Sequence, residues 1–295
     1  MLRTLKGREW FASDGFPIAV ERREPQSPFP PHKHDFSEIV LITGGKGRHV
    51  VGRETWPLAA GDVFVIGGRQ AHVYRELDNL RLINLLFQPE KLQLNDQDLA
   101  TLPGYHALFT LEPAWRQRHR FESRLHLAPR DLATTLALVE QIEAELGNRV
   151  AGFGFMATAL FMQIVGLLSR FYGQSRNPST KHLLRLAHTI TKLETQPHET
   201  VKLNDLASQS GMSPRSFARA FQAATGLSPI AYLIQQRLSR AAMLLRTTTE
   251  PVSEIAFRVG FNDSNYFTRQ FVKVFDCSPR TYRQRHPASR TSHAS

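Results

Sequence analysis

The sequence has one cysteine, Cys277, among 295 residues. An internal disulfide is therefore excluded, and the position of Cys277 between Asp276 and Ser278-Pro279 suits a turn better than a reactive thiol. Long apolar runs are also missing. No stretch reaches 18 uninterrupted apolar residues, and the N-terminus carries no apolar core of the secretory kind. The chain is accordingly expected to be soluble and cytoplasmic, with no membrane partner. Acidic residues are scarce at one end only. Residues 181–295 hold 16 Lys plus Arg against 7 Asp plus Glu, while residues 1–180 hold 21 against 19, so nearly all of the formal +11 is C-terminal. A localised basic excess of this kind suits the neutralisation of phosphates.

The basic region contains the same pattern twice. Leu203-Asn204-Asp205-Leu206-Ala207, Gly211-Met212, Phe217, Arg219, Phe221, Gly226, Ser228-Pro229 and Tyr232 form the first copy. Val252-Ser253-Glu254-Ile255-Ala256, Gly260-Phe261, Phe267, Arg269, Phe271, Asp276, Ser278-Pro279 and Tyr282 form the second. The offset is 49 up to the glycine and 50 after it, and a pattern that resumes in register after a slip is a genuine repeat. Each copy reads as a helix-turn-helix. A short amphipathic helix ends on a small Ala, Gly211 or Gly260 makes the sharp turn, and a second helix opens on Ser213-Pro214 in the first copy and on Asp263 or Asn262 in the second. Phe217 and Phe221, and likewise Phe267 and Phe271, are spaced to face the core. The opposite faces present Arg215, Ala218, Arg219 and Gln222 in the first copy and Ser264, Asn265, Thr268 and Arg269 in the second. Arg, Asn and Gln have the bidentate geometry for base edges, so these eight residues are the expected DNA-reading set on double-stranded DNA. Arg219 and Arg269 could instead hold phosphates or pair with Asp205 or Glu254. A helix over about 228–246 is expected to join the two copies. Arg280, Arg283 and Arg285 are expected to clamp phosphates, the alternative being a solvated basic end.

The N-terminal part has a different texture. Short strands are expected at 18–20, 38–42, 48–51, 63–66 and 82–87, with Gly-rich turns such as Gly44-Gly45-Lys46-Gly47 between them, a spacing that suits a barrel or sandwich. Two helices follow. Leu132, Leu136, Val139, Ile142 and Leu146 form a coiled-coil-like seam, and Phe155, Phe161, Ile164, Leu168 and Phe171 mark the second helix. This pair either caps the barrel or joins two subunits, and a homodimer is expected because symmetric dimers commonly read DNA. The polar stretch at 174–180 is expected to link an effector-binding and dimerisation domain (1–173) to a DNA-binding domain (181–290).

One chemical constellation lies among the strands. His32, His34 and Glu38 followed by Gly45 give H-x-H-x3-E-x6-G, and Gly61 with His72 gives a second half, which is similar to the cupin arrangement. Two imidazoles and a carboxylate can hold a divalent metal. The second half departs from the metal-binding pattern, with Gly67 and Arg69 where Pro and Gly are usual and Glu76 where Asn is usual. The cluster is therefore expected to line a pocket, with no metal, cofactor or catalytic residue. The expected effector-binding residues are His32, His34, Glu38, His72, Tyr74 and Asn84, with Trp115 nearby; such groups can grip a small polyhydroxylated ligand.

Gly226 to Tyr232 as G-x-S-P-x-x-Y, with Gly260-Phe261, Asn265-Tyr266-Phe267, Arg269, Phe271 and Ser278-Pro279-x-x-Tyr282-Arg283, resembles the AraC/XylS-type transcription regulators. The resemblance covers residues 30–286. Asp276 departs from it, standing where the family usually has Gly, and implies a slightly strained turn. It implies an α+β two-domain chain: an N-terminal cupin-like β-barrel with paired helices, then an all-α domain with two helix-turn-helix units. Phe11-Ala12-Ser13-Asp14, residues 32–38, Gly61-Asp62-Val63-Phe64, and residues 89–95 leading to Pro103-Gly104 resemble the regulators of L-rhamnose catabolism. By the same resemblance Tyr74 and Asn84 match sugar-contacting barrel positions. The arginine that arabinose-type sensors use has no counterpart, Gly44 standing near that position. The implied function is an activator of transcription that responds to a monosaccharide, L-rhamnose first, and works with RNA polymerase. The alternatives are a regulator of the same plan sensing another small molecule, and a cupin metalloenzyme fused to a DNA-binding module.

Overall fold

The computed structural model describes residues 2–68, 70–92, 98–115, 125–175 and 177–286. Among the described residues there are eight strands: β1 (Arg3–Leu5), β2 (Ile18–Arg23), β3 (His32–His34), β4 (Ser37–Val51), β5 (Glu54–Ala59), β6 (Asp62–Ile66), β7 (Val73–Phe87) and β8 (Leu125–His126). β1 pairs with β3 in parallel, and the other six form one antiparallel sheet in the order β2-β7-β4-β6-β8, with β5 on β4. Short helices α1 (Pro89–Leu92), α2 (Pro103–Tyr105) and α3 (Glu112–Trp115) lead to the long pair α4 (Pro129–Asn148) and α5 (Phe153–Gly173). The rest is helical: α6 (Pro178–Thr195), α7 (Leu203–Gln209), α8 (Pro214–Thr225), α9 (Pro229–Thr247), α10 (Val252–Arg258), α11 (Ser264–Phe275) and α12 (Pro279–Arg285).

The sheet corrects one expectation. Residues 38–42 and 48–51 are not two strands across a Gly-rich turn but parts of the single strand β4, whose pairing with β7 slips repeatedly between Ile42 and Arg48. Gly45 has φ +68°, and a Cβ there would stand 1.9 Å from the Asn79 carbonyl oxygen, so this glycine permits a bulge where two backbones nearly touch. The bulges bend β4 so that its first half pairs with β6 and its second half with β5, while β7 follows it throughout. Both faces of the first half are buried. Val40 and Ile42 pack with Leu58, Phe64, Ile66, Tyr74, Leu80 and Leu82, and the ring of Phe87 on the neighbouring strand meets that of Phe161 of α5 at 5.2 Å with a 48° tilt.

The helix pair also differs from its expected stripe. The buried residues of α4 are Thr135, Leu138, Val139 and Ile142, with Leu132, Leu136 and Leu146 at its margins. In α5 Phe161, Ile164 and Leu168 are buried as expected, but Phe155 is 78% exposed. α5 is the one described helix long and apolar enough to cross a membrane. Its inner face is packed in the protein, however, and Tyr172 Oη donates to Glu112 Oε1 at 3.0 Å, both residues fully buried.

The chain divides into two compact units, Met1–His188 and Thr189–Ser295, with the division inside α6. Residues 178–180, placed in the linker on sequence grounds, already belong to that helix. In the second unit the repeat of the sequence becomes a repeat of geometry. Phe217 and Phe221 lie 5.7 Å apart and Phe267 and Phe271 5.6 Å, all four fully buried. Tyr232 meets Phe221 edge-on at 5.3 Å and 80°, and Tyr282 meets Phe271 at 5.4 Å and 81°. The expected joining helix is α9, capped by Ser228, whose side chain accepts from the Ala231 N–H.

Candidate DNA-reading face and effector pocket

Each recognition helix starts where its cap puts it. Ser213 accepts from the Ser216 N–H at 3.3 Å to open α8, and Asp263 accepts from the Tyr266 N–H at 2.6 Å to open α11. The turns before them use Gly211 at φ +67° and Gly260 at φ +101°. With the phenylalanines turned inward, the expected polar faces come out. Arg215, Arg219 and Gln222 are exposed on α8 with Ala218 partly covered beside them, and Asn265 and Arg269 are exposed on α11 with Ser264 and Thr268 partly covered. Thr268 Oγ1 donates to the Ser264 carbonyl at 2.9 Å, and the Arg269 guanidinium lies over the Tyr266 ring at 5.9 Å. Neither Arg219 nor Arg269 forms an ion pair with Asp205, Glu254 or any other acid among the described residues. Both keep donors for a ligand. The late arginines separate: Arg280 and Arg285 are exposed, whereas Arg283 donates to the Glu250 carbonyl at 2.5 Å and ties α12 to the loop before α10.

In the N-terminal unit the expected pocket residues converge. His32 on β3 and His72 just before β7 exchange both backbone hydrogen bonds, at 3.1 and 2.9 Å, and their rings stand 4.3 Å apart. His32, Glu38, His72, Tyr74 and Asn84 line one cleft. His34 does not line it; it lies fully buried next to the cleft, its ring 5.4 Å from that of His72. The Trp115 side chain and Arg69 fall outside the described residues. The cleft also contains residues that sequence reasoning missed: Trp10, Glu21, Arg23, Gln26 and Phe29. Glu21 and Arg23 alternate on β2, paired with each other at 2.9 Å and set opposite Asn84 and Leu82 of β7. The period-two pattern of β2 was the available signal, hidden because Glu21-Arg22-Arg23 reads as the end of a strand. His49, also overlooked, is buried beside Phe64 and Tyr74.

Burial dominates the electrostatics of this cluster. It lowers His32, lowers His34 to about 4 and lowers His72 well below the usual imidazole range, which favours the neutral form of each ring. It raises the Glu38 carboxyl to about 8. Trp10 Nε1, Glu38 Oε2 and Asn84 Oδ1 are buried without a hydrogen-bond partner among the described residues. Such atoms cost stability unless something else completes their bonding.

Comparison with known proteins follows the same division. A profile described as "AraC-like ligand binding domain" matches residues 17–165, and one described as "Helix-turn-helix domain" matches residues 206–285. The chain is 34% identical over 281 residues to the "HTH-type transcriptional activator RhaR" of Mannheimia succiniciproducens, covering 95% of this chain and 96% of that one. It is 34% identical over 291 residues to the "HTH-type transcriptional activator RhaS" of Citrobacter koseri, covering 96% and 98%. Among solved structures, the DNA-binding domain of AdpA in complex with a target DNA is 34% identical, covers 34% of this chain and 91% of that chain, and has a TM-score of 0.34.

Proposed function

The chain belongs to the AraC family of transcriptional regulators, and from that premise we propose that its N-terminal unit senses a small sugar, with L-rhamnose the first candidate. Its C-terminal unit is a double helix-turn-helix that binds DNA. The observation that carries the sugar reading is the cleft itself. Aromatic Trp10 and Phe29 stand with Arg23, Gln26 and Asn84 around buried polar atoms that have no hydrogen-bond partner among the described residues, a mixture that suits a polyhydroxylated ring. The names of the RhaR and RhaS relatives support rhamnose over other monosaccharides. On this reading the protein is a cytoplasmic homodimeric activator that works with RNA polymerase and catalyses no reaction; the eight exposed or half-exposed residues of α8 and α11 contact the operator.

Isothermal titration with L-rhamnose tests the reading. The parent protein binds, and Asn84→Ala and Tyr74→Ala bind at least about tenfold more weakly, the loss expected when about 1.4 kcal/mol of contact is removed. No heat from the parent protein removes rhamnose as the effector. A thermal-shift panel of other monosaccharides then decides whether the cleft takes a sugar at all, since a ligand at 100 times its dissociation constant adds about 2.7 kcal/mol.

A further inference from the structure

We propose that His34, Glu38 and His72 form a binding site for one divalent transition-metal ion, zinc or ferrous iron, beside the cleft. One ligand atom from each residue lies within 4.8 Å of the others, and all three residues are buried. His34 Nε2 stands 3.5 Å from Glu38 Oε1. Metal bonds of about 2.0–2.1 Å at tetrahedral angles place neighbouring ligand atoms about 3.4 Å apart, so this edge already has the required length. An O–H···N hydrogen bond between a protonated Glu38 and His34 would close to about 2.8 Å, and the pair does not.

The backbone fixes the arrangement. His72 is locked to His32 by two hydrogen bonds, His34 is two residues further along β3, and Glu38 is held in β4 between Ile66 and Leu86. The rings are also set in one tautomer. His34 Nδ1 faces the Phe36 carbonyl at 2.5 Å, His72 Nδ1 faces the Gln70 carbonyl at 3.4 Å, and His32 Nδ1 faces the Pro30 carbonyl at 3.0 Å. A carbonyl only accepts, so each Nδ1 carries the proton and each Nε2 keeps its lone pair, which is how metal-ligating imidazoles are oriented. His34 Nε2 and Glu38 Oε2 have no hydrogen-bond partner among the described residues. A cation would satisfy both and would compensate the buried carboxylate. Two imidazoles and one carboxylate leave coordination positions open, as sites for zinc or ferrous iron do.

The sequence argued against a metal through its worn second half, and the structure removes much of that objection. Glu76, which stands where a metal-binding pattern has Asn, is on the surface and pairs with Arg48 at 2.7 Å. It does not touch the cluster. The site stands whether or not the cleft takes a sugar.

The test uses untagged full-length protein purified without chelators. Elemental analysis should find about one equivalent of zinc or iron per chain, and Glu38→Gln and His34→Asn should each lower the content or the affinity at least about tenfold. Chelator-stripped parent protein should recover a higher melting temperature on adding zinc, and should show a visible cobalt(II) spectrum that zinc displaces. This arm needs no variant to fold. A stripped parent protein that takes up neither zinc nor cobalt overturns the proposal, as does full metal content retained in both variants.

Discussion

The guanidinium of Arg237 lies against Gly260, and a Cβ on that glycine would stand 2.9 Å from Arg237 Cζ and 2.9 Å from His198 Cα. Arg237 is committed there: its Nε donates to the Pro197 carbonyl at 2.6 Å and its Nη2 to the Glu199 carbonyl at 2.9 Å. The turn of the second helix-turn-helix is thus packed against the loop that precedes the first. Gly260→Ala adds a steric conflict to an unfavourable φ of +101°, and should destabilise the DNA-binding unit by about 1–3 kcal/mol. Gly211→Ala, where φ is +67°, carries the backbone cost of about 1 kcal/mol without Arg237. Urea denaturation of the two variants distinguishes them. Equal losses would mean that the Arg237 contact contributes nothing.

The two repeats differ at the residue that ends the recognition helix. Gly226 closes α8 at φ +78°, but Asp276 closes α11 at φ +54° with its N–H donating to the Val272 carbonyl at 2.9 Å. An L-residue is strained in this region, and a carboxylate opposes the negative end of the helix dipole. Asp276→Gly should therefore stabilise the protein by about 0.5–1 kcal/mol, after allowing for the greater freedom of glycine in the unfolded chain. Thermal melts of the single variant and of Gly226→Asp should move in opposite directions. A lower melting temperature for Asp276→Gly would show that Asp276 makes a contact worth more than the strain.

Legibility differed between the two units for a physical reason. In the second unit, Phe217, Phe221, Phe267 and Phe271 repeat at helical spacing with caps and turn glycines in register, so local pattern and tertiary packing agree. In the first, glycines in a bulged strand look like glycines in a turn, which is why residues 44–47 read as a break in β4. Phe155 has the right spacing for the core of α5 yet points outward, because spacing identifies a face but not what covers it. Five of the six expected pocket residues share the cleft: His32 and Glu38 come from the local histidine and glutamate motif, and His72, Tyr74 and Asn84 from β7 and the residue before it. Trp10, Gln26 and Phe29 come from segments with no period, so only the folded chain brings them to the same place.

The last prediction concerns base reading. Arg219 on α8 and Asn265 on α11 are exposed, and Arg219 has no ion pair among the described residues. A side chain of this kind facing a base edge discriminates between sequences, whereas one facing a phosphate does not. Arg219→Ala and Asn265→Ala should each weaken binding to the specific operator by about 1–3 kcal/mol and relax preference at one base pair, while non-specific DNA changes little. Arg280→Ala and Arg285→Ala, at exposed positions on α12, should weaken all sequences alike and lower the salt dependence by about one counterion each. Binding isotherms at two salt concentrations, on operator and scrambled duplexes, separate the outcomes. A uniform loss for Arg219→Ala, with a reduced salt slope, would turn that arginine into a phosphate contact and leave recognition in the first repeat to Arg215 and Gln222.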